Sequence, residues 1–324
     1  MSKLPNIVFF GSDAICLPGL DFLKREASRE CVLRAVISQP DRPRGRGRQF
    51  QPNPVAEWAA MNGVELLQPE KPTAALADWI KKEDIQVGLV MAYGHFLQKS
   101  LRTAPQYGLL NFHGSLLPEY RGASPVETAL AQGEAETGVS LMQVIKEMDA
   151  GGVADAEPVS IDKIVTAPEL RVRIGEAVVP LLKRNLSAML AGKLDFQPQD
   201  GSRATYCRKL CKADGAVDFT LSAVAIYNRL RAFTPWPGGY FDHGDKRIKI
   251  GSASAMPEIQ SSARPGTVVD TKSTVRVATG AGLICFNELQ LPGARMLPAA
   301  DFLRGYSMNP GDCLIGGTAN ELVC

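Results

Sequence analysis

Three side chains are spaced so that they could act together. The run 108–125 reads GLLNFHGSLLPEYRGASP. An apolar strand closes there on Asn111 and His113, two residues apart and so on one side of an extended chain. Further along, EMDAGGV (147–153) places Asp149 before Gly151 and Gly152, just after a second apolar run. An amide donor, an imidazole and a carboxylate at neighbouring strand ends make an acid/base and oxyanion constellation. On these residues alone two plainer readings stay open: His113 as a satisfied strand-end histidine, and Asp149 as an ordinary turn residue. Other chemistries are excluded more firmly. The first turn, GSDAICLPG, has Gly11 and then no glycine until Gly19. The G-x-G-x-x-G cradle of NAD and FAD sites is therefore absent. Cys207 and Cys211 form a C-x3-C pair, but no second Cys or His pair stands close by to complete a zinc tetrahedron. No metal is expected.

The elements that must position these residues follow from apolar patterning. NIVFF (6–10), CVLRAVIS (31–38), VELL (64–67), IQVGLVMA (85–92), GLLNF (108–112) and GVSLMQV (138–144) read as strands. Helical segments fall between them: the first around Leu17–Leu23, then PVAEWAAMNG with Pro at its first turn and Gly at its end, AALADWIKKE, and PVETALAQG. IQVGLVMA is nearly all apolar, as a parallel strand buried on both faces should be. This alternation predicts an α/β, doubly wound, mainly parallel sheet of Rossmann-like form. Ligands of such sheets bind outside the carboxyl ends of the strands, where Asn111 and His113 stand. A long amphipathic helix over 166–192 follows. Beyond it the run 191–210 is polar with Pro and Gly and reads as a linker. A helix near 220–233 precedes short β-rich runs with turn residues between them, which predict a small OB-like β-barrel. The expected domains are 1–190 (catalytic), 191–210 (linker) and 211–324 (barrel).

Composition is that of an ordinary globular chain: 324 residues, 45% hydrophobic, 22% charged, net charge +2. No apolar run is long enough to span a bilayer, and MSKLPNIVFFGSD lacks the pattern of a signal peptide. Seven scattered cysteines suit free thiols in a reducing cytoplasm. The balance is uneven. Residues 1–202 hold 22 basic and 24 acidic side chains, residues 203–324 hold 14 and 10. The acidic front part nevertheless carries QPDRPRGRGRQFQPNP (39–54), with Arg42, Arg44, Arg46 and Arg48 separated only by Pro and Gly. Such a run cannot be a core strand or a helix. It is a cationic loop suited to a polyanion, and its Gly and Pro are expected to keep it from regular structure.

NFHGSLLPEYRGASP, TGVSLMQV and MDAGG, in that order, resemble the formyltetrahydrofolate-dependent transformylases. The arginine loop, TYCRKLCKADGAVDF (205–219), RAFTPWPGGY (231–240) and PGTVV…VATGAG (265–282) resemble those members that formylate methionyl-tRNA. The likeness covers nearly the whole chain except the final GGTANELVC. It implies transfer of the formyl group of 10-formyltetrahydrofolate, a cosubstrate, to the α-amine of methionyl initiator tRNA, in a cytoplasmic monomer. It implies catalytic roles for Asn111, His113 and Asp149. It implies folate contacts from Ser115, Leu116, Leu117 and Pro118 and from Tyr93 and Gly94 at the end of a neighbouring strand, and tRNA contacts from Arg42, Arg44, Arg46 and Arg48. Glu147 and Gly152 depart from the family's usual residues. Two other readings remain at this point: a transformylase or hydrolase with a small-molecule acceptor, and an RNA-binding protein on an inactive scaffold. Small acceptors need neither the arginine loop nor the basic barrel, and an intact constellation speaks against an inactive scaffold.

Overall fold

The computed structural model describes residues 3–44 and 49–323. The chain forms two compact units. The first holds the residues up to Gly122 together with Glu136–Ser160 and Arg171–Thr205; the second holds Ala123–Ala135, Ile161–Leu170 and Tyr206 onward.

In chain order the elements up to the long helix are β1 (Asn6–Phe10), α1 (Leu17–Arg25), β2 (Val32–Ile37), β3 (Arg42–Arg44), β4 (Gln49–Gln51), α2 (Pro54–Asn62), β5 (Leu66–Leu67), α3 (Ala74–Lys82), β6 (Ile85–Val90), α4 (Lys99–Arg102), β7 (Leu109–His113), β8 (Arg121–Gly122), α5 (Pro125–Gln132), β9 (Glu136–Gln143), β10 (Val153–Ser160) and α6 (Ala167–Leu190). Seven strands make one sheet in the order β10-β9-β7-β6-β1-β2-β5. The five from β5 to β7 are parallel. β9 and β10 add antiparallel at one edge. β1 is wholly buried, which its unbroken NIVFF dictates, and one side of the sheet closes on a core of Val8, Phe10, Ile37, Ile80, Leu89's neighbour Val90 and Leu109. Local signals fix the helix ends. The Asn53 side chain accepts from the N–H groups of Val55 and Ala56, Pro54 opens α2, and Gly63 closes it at φ +60°. The strand order turns back beside β1, with β2 on one side and β6 on the other. The carboxyl ends of β1 and β6 thus flank the crevice in which such sheets take ligands.

Two findings differ from the sequence expectation. β10 (VADAEPVS) has no large apolar side chain between Val153 and Val159 and contains Pro158; an edge strand tolerates both. The arginine segment is not irregular throughout: β3 and β4 pair antiparallel, Arg42 opposite Gln51, Pro43 opposite Phe50 and Arg44 opposite Gln49. Proline is no obstacle in an isolated two-stranded ribbon, where half the backbone N–H groups face solvent. Arg46 and Arg48 lie outside the described residues.

The second unit is built on β11 (Tyr206–Cys207), α7 (Ala223–Ala232), β12 (Gly239–His243), β13 (Lys246–Met256), β14 (Val268–Asp270), β15 (Val275–Ala278), β16 (Leu283–Gln290), β17 (Leu297–Pro298) and α8 (Ala299–Gly305). Its sheet runs β12-β13-β16-β15-β14, with β17 on β16. Residues 311–315 hydrogen-bond to both edges: Asp242 and Ile315 exchange two 2.8 Å bonds, while the Leu314 and Val268 N–H groups bond to Gly266 and Asp312. The antiparallel sheet curls around Phe219, Phe241, Ile248, Val277 and Phe286, with the Phe241 and Phe286 rings stacked 5.1 Å apart. Arg231 ties the 161–165 segment to α7 by bonds to the Asp162 (2.7 Å) and Val165 (3.1 Å) carbonyls. The last stretch is also held. Leu322 is buried, the Ala319 N–H bonds to Asp218 and the Arg208 N–H bonds to the Leu322 carbonyl.

Candidate active site

Asn111 and His113 stand at the carboxyl end of β7, between β6 and β9; Asn111 lies opposite Val90 and Met142, His113 opposite Ser140. Asn111 is half-buried and His113 is 5% exposed. β9 runs antiparallel to β7, so its end does not lie beside the end of β7, as a purely parallel sheet would have it. The 144–152 loop brings Asp149 back instead: its Oδ2 lies 3.7 Å from His113 Nδ1. The other ring nitrogen, Nε2, is 2.9 Å from the Tyr120 carbonyl and donates to it. Both ring nitrogens therefore face oxygen atoms. The 3.7 Å separation is an ion-pair distance, beyond a hydrogen bond. Such contacts tighten in a reacting complex. Asp149 Oδ2 meanwhile accepts from the Gly122 N–H at 2.9 Å.

The backbone around these groups is unusual. Asp149 has φ +49° and Tyr120 φ +57°, a region that side chains with a Cβ rarely enter. A side chain on Gly151 would collide with the Gln143 carbonyl, and one on Gly152 would come within 2.8 Å of Phe196 Cβ. The second contact gives a packing reason for glycine at 152. Residues that the sequence did not single out hold the turn. Gln199 Nε2 donates to the carbonyls of Asp149 (2.8 Å) and Gly151 (2.7 Å), and its Oε1 accepts from Arg121 Nε (3.0 Å) and Nη2 (2.7 Å). Thr205 accepts from the Tyr120 and Arg121 N–H groups, at 2.8 Å each. No motif spacing marks Gln199 or Thr205, since their partners lie 48 to 85 residues away.

The 115–118 loop is fixed from below. Ser115 is fully buried, its hydroxyl donates to the Glu119 carbonyl (2.6 Å), and its carbonyl accepts from Ser140 (2.8 Å). The Leu117 N–H donates to the same Ser140 hydroxyl. Leu116 packs over Gly138 of β9, so part of its side chain is used within the sheet. Leu116, Leu117 and Pro118 are half-buried. At the end of β6 the chain turns through Ala92 (φ +47°) and Gly94 (φ +77°). Tyr93 is 2% exposed and its ring sits in the core against Phe10. Its hydroxyl, pushed up to about 12 by burial, has no hydrogen-bond partner among the described residues. What Tyr93 and Gly94 offer a ligand is backbone, and the Tyr93 carbonyl already accepts from Gln39 (2.8 Å). On the arginine hairpin, Arg42 pairs with Glu70 (2.8 Å) with both side chains exposed, and Phe50 is 73% exposed. Among the described residues no cluster of three or more His, Cys, Asp or Glu could hold a metal ion, and no helix is long and apolar enough to cross a membrane.

Residues 6–185 match the family profile described as formyl transferase, and residues 209–307 that of the formyl transferase C-terminal domain. The chain belongs to the formyl transferase family. Curated relatives of this transferase include the methionyl-tRNA formyltransferases of Sulfurihydrogenibium sp., 36% identical over 95% of this chain and 99% of that one, and of Thermus thermophilus, 39% identical over 94% and 98%. Among solved structures, methionyl-tRNA formyltransferase from Clostridium thermocellum superposes with a TM-score of 0.57 at 17% identity, covering 86% of this chain and all of that one. An N-formyltransferase from Helicobacter canadensis, in complex with folinic acid and dTDP-3-aminofucose, gives 0.65 at 16% identity over 88% and 99%. At such identities these two speak for the transferase's fold.

Proposed function

We propose that this formyl transferase moves the formyl group of 10-formyltetrahydrofolate to the α-amine of methionyl initiator tRNA. The amine attacks the formyl carbon, the carbonyl electrons move to oxygen, the bond from carbon to the folate nitrogen breaks, and the proton lost by the amine ends on that nitrogen. The observation that carries the reading is the convergence of Asn111, His113 and Asp149 at one strand end, in a chain that matches methionyl-tRNA formyltransferases over nearly its whole length. Asn111 donates its amide hydrogen to the developing oxyanion and orients the formyl group. His113, held between the Tyr120 carbonyl and the Asp149 carboxylate, supplies positive charge beside that oxygen. Asp149 keeps the ring charged and, through a water, accepts the amine proton.

The crevice beside β1 and β6 suits a flat heterocycle. In this reading the ring system lies beside the 92–94 turn, where Gly94 takes φ +77°, and receives apolar contact from Leu116, Leu117 and Pro118. Ser115 serves this contact by locking the turn of the 115–118 loop. The tRNA is met by the arginine hairpin and by the barrel of residues 211–324, the more basic part of the chain. The catalytic domain is assigned to residues 1–190, together with 191–205, which pack within the first unit.

One assay tests this: 10-formyltetrahydrofolate is supplied with charged initiator tRNA, charged elongator tRNA or small amines. Formylation confined to the initiator is the expected result. Formylation of small amines but not of the tRNA would overturn it.

A further inference from the structure

Gln199 lies between the two family-matched stretches, in the polar run that reads as a linker. We propose that Gln199 is a positioning residue for formyl transfer, acting through Asp149; this rests on the catalytic reading above. Its carboxamide is used on both sides. Two donated bonds hold the carbonyls of Asp149 and Gly151, and two accepted bonds come from the guanidinium of Arg121.

The turn needs such a clamp. Asp149 is a non-glycine residue at φ +49°, a conformation that persists only where the surroundings fix it. Anchoring the carbonyl on each side of Ala150 fixes the peptide planes of the turn and therefore the direction of the Asp149 side chain. The same clamp reaches the group on the other side of the carboxylate. Arg121 precedes Gly122, whose N–H holds Asp149 Oδ2, and Arg121 is itself buried. One side chain thus ties the acid to its turn and to the strand that receives it. The chain delivers Gln199 to this place by an antiparallel bridge two residues earlier, where Gln197 and Val153 exchange two 2.9 Å bonds.

The test uses Q199E and Q199A in the full-length enzyme. Glutamate is nearly isosteric and still accepts from Arg121, but it has no hydrogens for the two carbonyls. Both variants are expected to lower kcat about 10- to 100-fold, since small misplacements of a catalytic group have effects of that size. KM for tRNA and for folate should stay within about twofold, because neither substrate loses a contact. Full kcat in a folded Q199E would refute the donor role. A loss confined to thermal stability, or one that raises both KM values instead of lowering kcat, would reduce Gln199 to scaffolding. Should the wild-type enzyme formylate no tRNA, the functional reading fails by itself. The crystal structure of Q199A then decides the positioning claim, which requires the Asp149 carboxylate to swing away from His113 and is lost if the 3.7 Å separation is kept.

Discussion

Replacing Asp149 by asparagine isolates the charge of the carboxylate from its shape. The side-chain oxygen of asparagine can still accept from the Gly122 N–H, and asparagine tolerates the left-handed backbone that this position adopts. The fold should survive the change. What is lost is the attraction between the carboxylate and the positive charge that the proposed mechanism places on the imidazole 3.7 Å away. Both groups are largely shielded from solvent, and with an effective dielectric constant of ~20 that attraction is on the order of 4 kcal/mol. If it is fully expressed as the oxyanion forms, kcat falls ~10³-fold, at 1.36 kcal/mol per decade. The measurement is single-turnover formylation with cosubstrate and charged initiator tRNA both saturating, quenched on the millisecond scale. KM for each substrate should be unchanged. A loss smaller than about tenfold, in a protein with a wild-type melting profile, would show that Asp149 does not sustain the charge on His113 and would take it out of the proposed site.

Three further outcomes are expected. Burial alone would raise the Asp214 carboxyl, but hydrogen bonds from Arg208, the Cys211 N–H and Asn320 outweigh it and bring it down to about 2 from 3.8. Its stabilisation is thus complete above pH 4 and lost as pH falls toward 2; the excess stability of wild type over D214N, followed by urea unfolding of the barrel, should shrink by about 2 kcal/mol over that window. An equal gap at pH 5 and pH 2 would contradict the assignment. Tyr93→Phe removes a buried hydroxyl without a partner and should leave stability unchanged or raise it by about 1 kcal/mol, with KM for folate unaltered; a large rise in that KM would mean the hydroxyl meets the ligand. Neutralising Arg42, Arg44, Arg46 and Arg48 together should raise KM for tRNA and flatten its dependence on log[salt] by roughly 0.7–0.9 per arginine that meets a phosphate, leaving folate binding as it was. An unaltered KM for tRNA would make the hairpin a bystander.

The parallel core was legible because burial on both faces leaves a mark in sequence: NIVFF and IQVGLV have almost no polar residue to spend on a solvent face. Asn111 and His113 were legible for the converse reason, as polar residues ending such a run. β10 was not, since an edge strand facing α6 through Asp155 and Glu157, both paired with Arg184, has no need of large apolar side chains. The direction of β9 was also hidden, because residue pattern records burial and not orientation. Its reversal changes how Asp149 reaches His113, by a returning loop rather than from an adjoining strand end. The hairpin at β3 and β4 defied its composition because an isolated ribbon makes few demands on the backbone donors that proline lacks. Gln199 and Thr205 were illegible in principle: a hydrogen bond closed across 48 or more residues leaves no local period.

The segment from Asp195 to Thr205 has a consequence for how such proteins can be recombined. A gene cut at the end of α6 would carry all three proposed catalytic residues and the whole matched N-terminal profile, yet it would leave behind Gln199, which clamps the Asp149 turn, and Thr205, which holds the backbone of Tyr120 and Arg121. The modular boundary for exchanging barrels between relatives therefore falls after Thr205. A chimera joined earlier would take in the donor's barrel together with a foreign clasp on its own active site.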